Sequence, residues 1–156
     1  MGITQNILDN LRTDLLTIDG TGDYTNTISK AFKDLRFVGD LPDSDFDACY
    51  IGAGKEVVDV MGDRLKKCEL PVFGLIYFSI DVDTQNSGTL ESQAESYRED
   101  IYILNESFTN TLASLDADSK ICVESCEIVS ITPYINTGFP TRGELEFELK
   151  IIYHRS

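Results

Sequence analysis

One stretch limits the possible folds more than any other, the segment from Thr89 to Leu115. Its apolar residues are Leu90, Ala94, Tyr97, Ile101, Leu104, Phe108, Leu112 and Leu115. Steps of three and four residues put them on one side of an α-helix of about seven turns. Glu91, Glu95, Glu99, Asp100 and Glu106 fall on the remaining sides and read as a solvated surface. Glu91 and Ser92 in the first turn suit the positive end of the helix dipole, and the polar run Ser114–Ser119 ends the period. Such a stripe needs an apolar surface to cover it. The flanking segments supply one, because both alternate with period two.

The N-terminal segment Ile3–Ile18 is a first helix, with Ile3, Ile7, Leu8, Leu11, Leu15 and Ile18 as its stripe. The turn formers Asp19-Gly20-Thr21-Gly22-Asp23 stop it. Ile28–Val38 reads as an extended strand, although Ile28, Phe32 and Leu35 also fit helical spacing. The loop Gly39–Asp45 leads into a strand over Phe46–Ala53, closed by Gly52-Ala53-Gly54. Lys55–Met61 and Arg64–Glu69 form a ribbon around Met61-Gly62-Asp63, and Leu70–Val82 is the strand richest in β-formers. Beyond the long helix, Lys120–Ile131 is a strand and Thr132–Gly143, with Pro133 and Pro140, a loop. In the last strand, Glu144–His154, Leu145, Phe147, Leu149, Ile151 and Tyr153 face one way and Glu144, Glu146, Glu148 and Lys150 the other. One buried and one wet face is the antiparallel pattern. The expectation is one α+β domain over residues 1–156, an antiparallel or mixed sheet with the N-terminal and central helices on one face.

Composition narrows the function classes. The 27 Asp and Glu outnumber the 13 Lys and Arg, a formal charge of −14. A surface of that sign repels phosphate and argues against sequence-independent nucleic-acid binding. No run of about 18 apolar residues suggests a membrane span. The first six residues lack the pattern of a secretory signal, and Asn6 spoils a myristoylation match, so a cytosolic setting is expected. Cys49, Cys68, Cys122 and Cys126 include no CxxC pair and read as buried, reduced thiols.

Four near-motifs fail on chemistry. Gly52-Ala53-Gly54-Lys55 lacks the first glycine of a phosphate loop, and Glu56 would oppose a triphosphate. Asp43-Ser44-Asp45-Phe46-Asp47 opens like a calcium loop, but Ala48 stands at the glycine position and Gly54 where the bidentate Glu belongs. Asp19-Gly20-Thr21-Gly22 has the wrong order for an aspartic-protease motif. His154, the one histidine, sits near the C-terminus on the polar side of its strand, a poor general base, and with four scattered cysteines it makes no zinc set. Asn105-Glu106-Ser107 fits a glycosylation sequon but lies mid-helix. The expectation is a protein that is not an enzyme and carries no cofactor and no metal.

The order of elements resembles the tail terminator (tail completion, head-tail joining) proteins of long-tailed bacteriophages. The likeness rests on the N-terminal helix, Gly39-Asp40-Leu41-Pro42 leading to Tyr50-Ile51-Gly52-Ala53-Gly54, the ribbon, the strand Val72–Val82, one long helix, and the closing Leu145–Tyr153 strand ending in Ile151-Ile152-Tyr153. It implies a structural virion protein, assembled in the host cytoplasm. The protein would form a homo-hexameric ring on the tail tube, stop tube polymerisation and offer a surface to the head connector or neck protein. DNA would pass the lumen without specific binding, and no membrane would be involved. Candidate interface residues are Arg64, Lys66 and Lys67 on the ribbon, and Tyr134, Phe139 and Arg142 around the Pro133–Pro140 loop. Another neck or joining protein is the alternative within the particle, and a small acidic peptide-binding module the alternative outside it.

Overall fold

The computed structural model describes residues 2–62, 65–79, 89–114, 121–135 and 142–155. Helix α1 (Ile3–Leu15) is followed by the short strand β1 (Lys30–Phe32), then β2 (Ala48–Ala53), β3 (Val57–Val60) and β4 (Lys66–Ser79). Helix α2 (Thr89–Ser114) precedes β5 (Ile121–Ile135) and β6 (Arg142–Arg155). The strands form one six-stranded sheet in the order β1-β2-β4-β6-β5, with β3 also paired to β4. Among the described strands only β1 and β2 run parallel, so the fold is α+β with a mixed, mostly antiparallel sheet. No helix among the described residues is long and apolar enough to cross a membrane.

Period two places the core. Cys68, Leu70, Val72, Ile76 and Phe78 of β4 and Leu145, Phe147, Leu149, Ile151 and Tyr153 of β6 are buried against the helices. Helix α1 contributes Ile7, Leu8, Leu11 and Leu15, and α2 contributes Ala94, Tyr97, Ile101 and Leu104. The stripe expected of α2 is therefore seen in its first half, while the side chains of Leu90, Phe108 and Leu112, and all of Leu115, lie outside the described residues. Helix α1 lies on β1 and β2, α2 lies on β5 and β6, and the helices touch each other.

One cross-strand pair shows how closely the core is fitted. Gly74 lies opposite Phe147, and a Cβ on Gly74 would sit 2.1 Å from the ring tip. The glycine is a socket for the aromatic ring, a use of glycine inside a strand that period and propensity do not reveal.

The structure corrects several expectations. Helix α1 ends at Leu15, and Ile18, though buried, belongs to the turn beyond. The strand expected over Ile28–Val38 keeps only Lys30–Phe32, after which Val38 enters a 3-10 turn. The ribbon's second half and the strong strand are one continuous element, β4, because β6 pairs with it from Lys66 to Ser79 without a break. Residues 132–135, read as loop, extend β5 along the sheet edge. Asp100, assigned to the wet side of α2, is fully buried. Its carboxylate accepts the backbone N–H groups of Thr25 and Asn26 at 2.9 and 3.0 Å and the Asn26 side-chain amide at 2.8 Å. That tie fastens the α1–β1 connection to the central helix.

The second face of the sheet is only partly wet. At one end the 33–46 segment folds over it, and Val38, Leu41, Ala48 and Tyr77 form a small second core with Phe32, Phe46, Tyr50 and Leu75. Among the described residues nothing packs over the rest of that face, where Phe73 and Val129 are exposed.

Candidate functional site

Two surfaces stand out once the helices are in place. The first is the arm made by β3 and the start of β4. Val57, Val58, Asp59 and Val60 pair with Glu69, Cys68, Lys67 and Lys66, and the Met61 N–H donates to the Leu65 carbonyl at 2.8 Å to close the tip. Pro71 explains where the arm begins. A strand residue's N–H and C=O point to the same neighbour, and the Pro71 carbonyl accepts the Gly54 N–H at 2.8 Å. Its missing donor thus falls at the gap between β2 and β3, where none is needed.

The arm is apolar without being buried. Val60 is 74% exposed, and Val57, Val58, Met61 and Leu65 are each about half exposed. Lys66 and Lys67 stand beside them and form no ion pair among the described residues. Exposed apolar side chains beside such cations at a sheet corner are the composition of a contact surface.

The second surface is the outward face of β6, which runs from beneath that small second core to the open part of the sheet. Along β6, Glu144, Glu146 and Glu148 occupy successive outward positions, followed by Lys150, Ile152 and His154. Burial raises the Glu144 carboxyl above its usual range, and the neighbouring Glu146 charge adds to that. Phe73, exposed at 39%, and the half-buried Leu75 lie opposite Glu148 and Glu146 on β4. Near the arm's root a shallow groove of about 250 Å³ runs between Val57, Pro71 and Val129, with Lys55, Glu69, Glu148 and Lys150 around it.

The sequence-derived candidates are thereby divided. Lys66 and Lys67 sit on the arm. Tyr134 and Arg142 belong to the opposite end of the sheet, where Tyr134 pairs with Glu144 and Arg142 with Ser79. Thirteen strand steps separate Lys66 from Ser79, roughly 43 Å. Arg142 is committed within the chain: its guanidinium donates to the Val38 carbonyl and to Asp43, both at 2.7 Å, and lies 4.7 Å from the centre of the Phe46 ring. It staples the 38–46 segment over the sheet. Arg64 and Phe139 lie outside the described residues. The carboxylates of β6 are the feature that sequence reading missed as a site, although their alternation was visible in Glu144–Lys150.

The reactive groups are held in unreactive surroundings. Burial pushes the Cys49 and Cys126 thiols up to about 12, opposite to the shift that makes a nucleophile. Tyr97 donates to Asp47, and burial raises both groups above their usual ranges. Tyr153 donates likewise to Glu56. His154 lies 2.9 Å from Glu124, which this hydrogen bond holds below its usual range. Among the described residues no three His, Cys, Asp or Glu converge to hold a metal ion.

No protein-family model matches the chain, and no curated protein matches its sequence.

Proposed function

We propose that this protein is a structural component of a phage particle, a ring that terminates the tail tube and receives the head connector. The observation that carries the reading is the β3–β4 arm, an exposed apolar ribbon at one end of the sheet whose lysines form no ion pair among the described residues, with a glutamate row at the other end. A chain that carries two unlike surfaces is suited to a contact that repeats around a ring. The resemblance in element order supplies the biological setting. A formal charge of −14 fits a channel through which DNA slides without sticking.

The test is arrest of tube growth. Added to polymerising tail tube protein, the chain caps tube ends and limits their length, and on those ends it is seen as a ring of about six copies by electron microscopy. Tubes that grow unchanged, with no protein on their ends, overturn the proposal. A second reading draws on β5, whose outer edge has no partner strand among the described residues. An acidic module of this kind would take an extended peptide along that edge, and a chain that binds peptide as a monomer and ignores tubes favours it.

A further inference from the structure

The apolar side chain that the fold holds furthest into water is Phe37. It is 79% exposed, the most of any large apolar side chain described, and Leu35 near it is 61% exposed. The backbone that carries them is not loose. The Arg36 carbonyl accepts the Tyr77 hydroxyl at 2.8 Å, the Phe37 carbonyl accepts the Asp40 N–H at 3.0 Å, and the Val38 carbonyl accepts the Arg142 guanidinium at 2.7 Å. Three successive carbonyls are thus held, two of them by side chains of the sheet, and Val38 itself is buried. A phenyl ring left in water forgoes the gain of burial, and here fixed points on both sides keep it there. Such a ring is ordered before any partner arrives, which is the character of an interface anchor.

The same chain carries a recess of matching size. The groove between Val57, Pro71 and Val129 holds about 250 Å³. That is below the roughly 300–1,000 Å³ of a small-molecule site and suits one large side chain. Phe73, at the next outward position of β4 after Pro71, extends its apolar wall. Phe37 does not fill this groove in its own chain. Its ring is in water, and Tyr77, which holds its segment, is six residues from Pro71 along β4, about 20 Å at the rise of a strand.

Charge permits these two sites to meet between copies. The whole chain carries −14, so acidic surface repels acidic surface when two copies approach. The charged residues of the 33–40 stretch are Lys33, Arg36, Asp34 and Asp40, two of each sign. Those around the groove are Lys55, Lys150, Glu69 and Glu148, again two of each sign. Contact between the two sites therefore does not set one surplus of carboxylates against another.

We propose that Phe37 of one copy inserts into the Val57–Pro71–Val129 groove of a second copy, beside that copy's Phe73. The contact joins unlike surfaces and leaves a free ring and a free groove on each pair, so it repeats from copy to copy. It sets the 33–46 segment of one subunit at the root of its neighbour's arm. It specifies the subunit contact of the proposed ring and rests on that reading for its head-to-tail form.

The experiment is a double-mutant cycle on the full chain, with self-association followed by sedimentation velocity. Phe37→Ala removes the ring and Val129→Trp fills the groove, and each weakens association by at least about tenfold. Because both act on one contact, the double variant is within about threefold of the weaker single variant, whereas two independent sites would multiply their losses. Tyr102→Ala, which removes an exposed aromatic of α2 on the other side of the sheet, changes association by less than about twofold. Phe37 and Val129 lie outside the core, and thermal melting confirms that each variant is folded.

Wild-type protein that assembles, with variants that match or exceed it, overturns this contact while the tail reading stands. Losses that multiply in the double variant overturn it as well. Coupled losses in an association that stops at two copies support the contact and overturn its head-to-tail form. A chain still monomeric at about 0.5 mM overturns the contact altogether. Coupled losses in a protein that assembles but never arrests tube growth support the contact and overturn the tail reading instead.

Discussion

The Gly74–Phe147 socket gives the sharpest test of the packing. In Gly74→Ala the added Cβ would lie 2.1, 2.4 and 2.5 Å from the three outer ring atoms, where ordinary contacts are 3.4–4 Å. The ring must withdraw by about 1.3 Å, yet it is fully buried, with Leu145 and Leu149 on either side along β6 and Ile131 opposite on β5. Overpacking of this kind costs about 1–3 kcal/mol, and so short a contact belongs at the upper end. Against it stands a gain of about 0.4–1 kcal/mol from the lower entropy of an unfolded chain with Ala instead of Gly. The clash wins, leaving a net loss of about 2 kcal/mol. With a urea m-value of about 2 kcal/mol/M for a chain of this size, the unfolding midpoint falls by about 1 M. The decisive comparison is a double-mutant cycle. Phe147→Leu removes the outer ring atoms, so in that background Gly74→Ala loses most of its cost, a coupling of about 2 kcal/mol. A neutral Gly74→Ala, or a penalty that is unchanged in the Phe147→Leu background, refutes the reasoning.

Three further outcomes are expected. Asp100→Ala leaves two backbone N–H groups without their acceptor and costs about 3–5 kcal/mol, read as a lower urea midpoint and faster amide exchange at Thr25 and Asn26. Because burial raises the Asp47 carboxyl above 3.8, its contribution to stability is full below that value and is lost as pH rises through the raised value. Asp47→Asn, compared with wild type by urea unfolding from pH 3.5 to 7, flattens that part of the decline; parallel curves count against it. Arg142→Ala removes two charge-assisted hydrogen bonds and a cation–ring contact, costs about 2 kcal/mol, and speeds proteolysis within residues 38–46. Unchanged cleavage there means that the arginine does not hold the segment.

What could be read from the sequence was what one buried face imposes. Strand β6 was plain because its odd residues are buried and its even ones are not, and α2 because a single stripe meets the sheet. Elements set by their partners were not plain. Residues 132–135 looked like loop because Pro133 punctuates them, but β5 is an edge strand, where a missing N–H is tolerated. Lys30–Phe32 is short because it pairs with only three residues of β2, a limit invisible in its own composition. Asp100 could not be placed without knowing that Thr25 and Asn26 present their donors to it. The same holds for the candidate surface. Lys66 and Lys67 could be singled out as a basic ribbon, but only the pairing of β3 with β4 shows that Lys67 lies opposite Asp59 and that the two lysines point to opposite faces. Arg142, attractive as a loop arginine, is occupied by Val38 and Asp43.

The unbroken pairing of β4 with β6 also has a mechanical consequence. From Lys66 to Ser79, every residue of β4 has a partner on β6, so the arm shares its backbone ladder with the core. A pull on the arm along the strand loads those hydrogen bonds in shear, all together, whereas a pull across the strands would open them one at a time. The arm is therefore a stiff lever, and force applied at Val60 passes into the middle of the sheet without a hinge to absorb it.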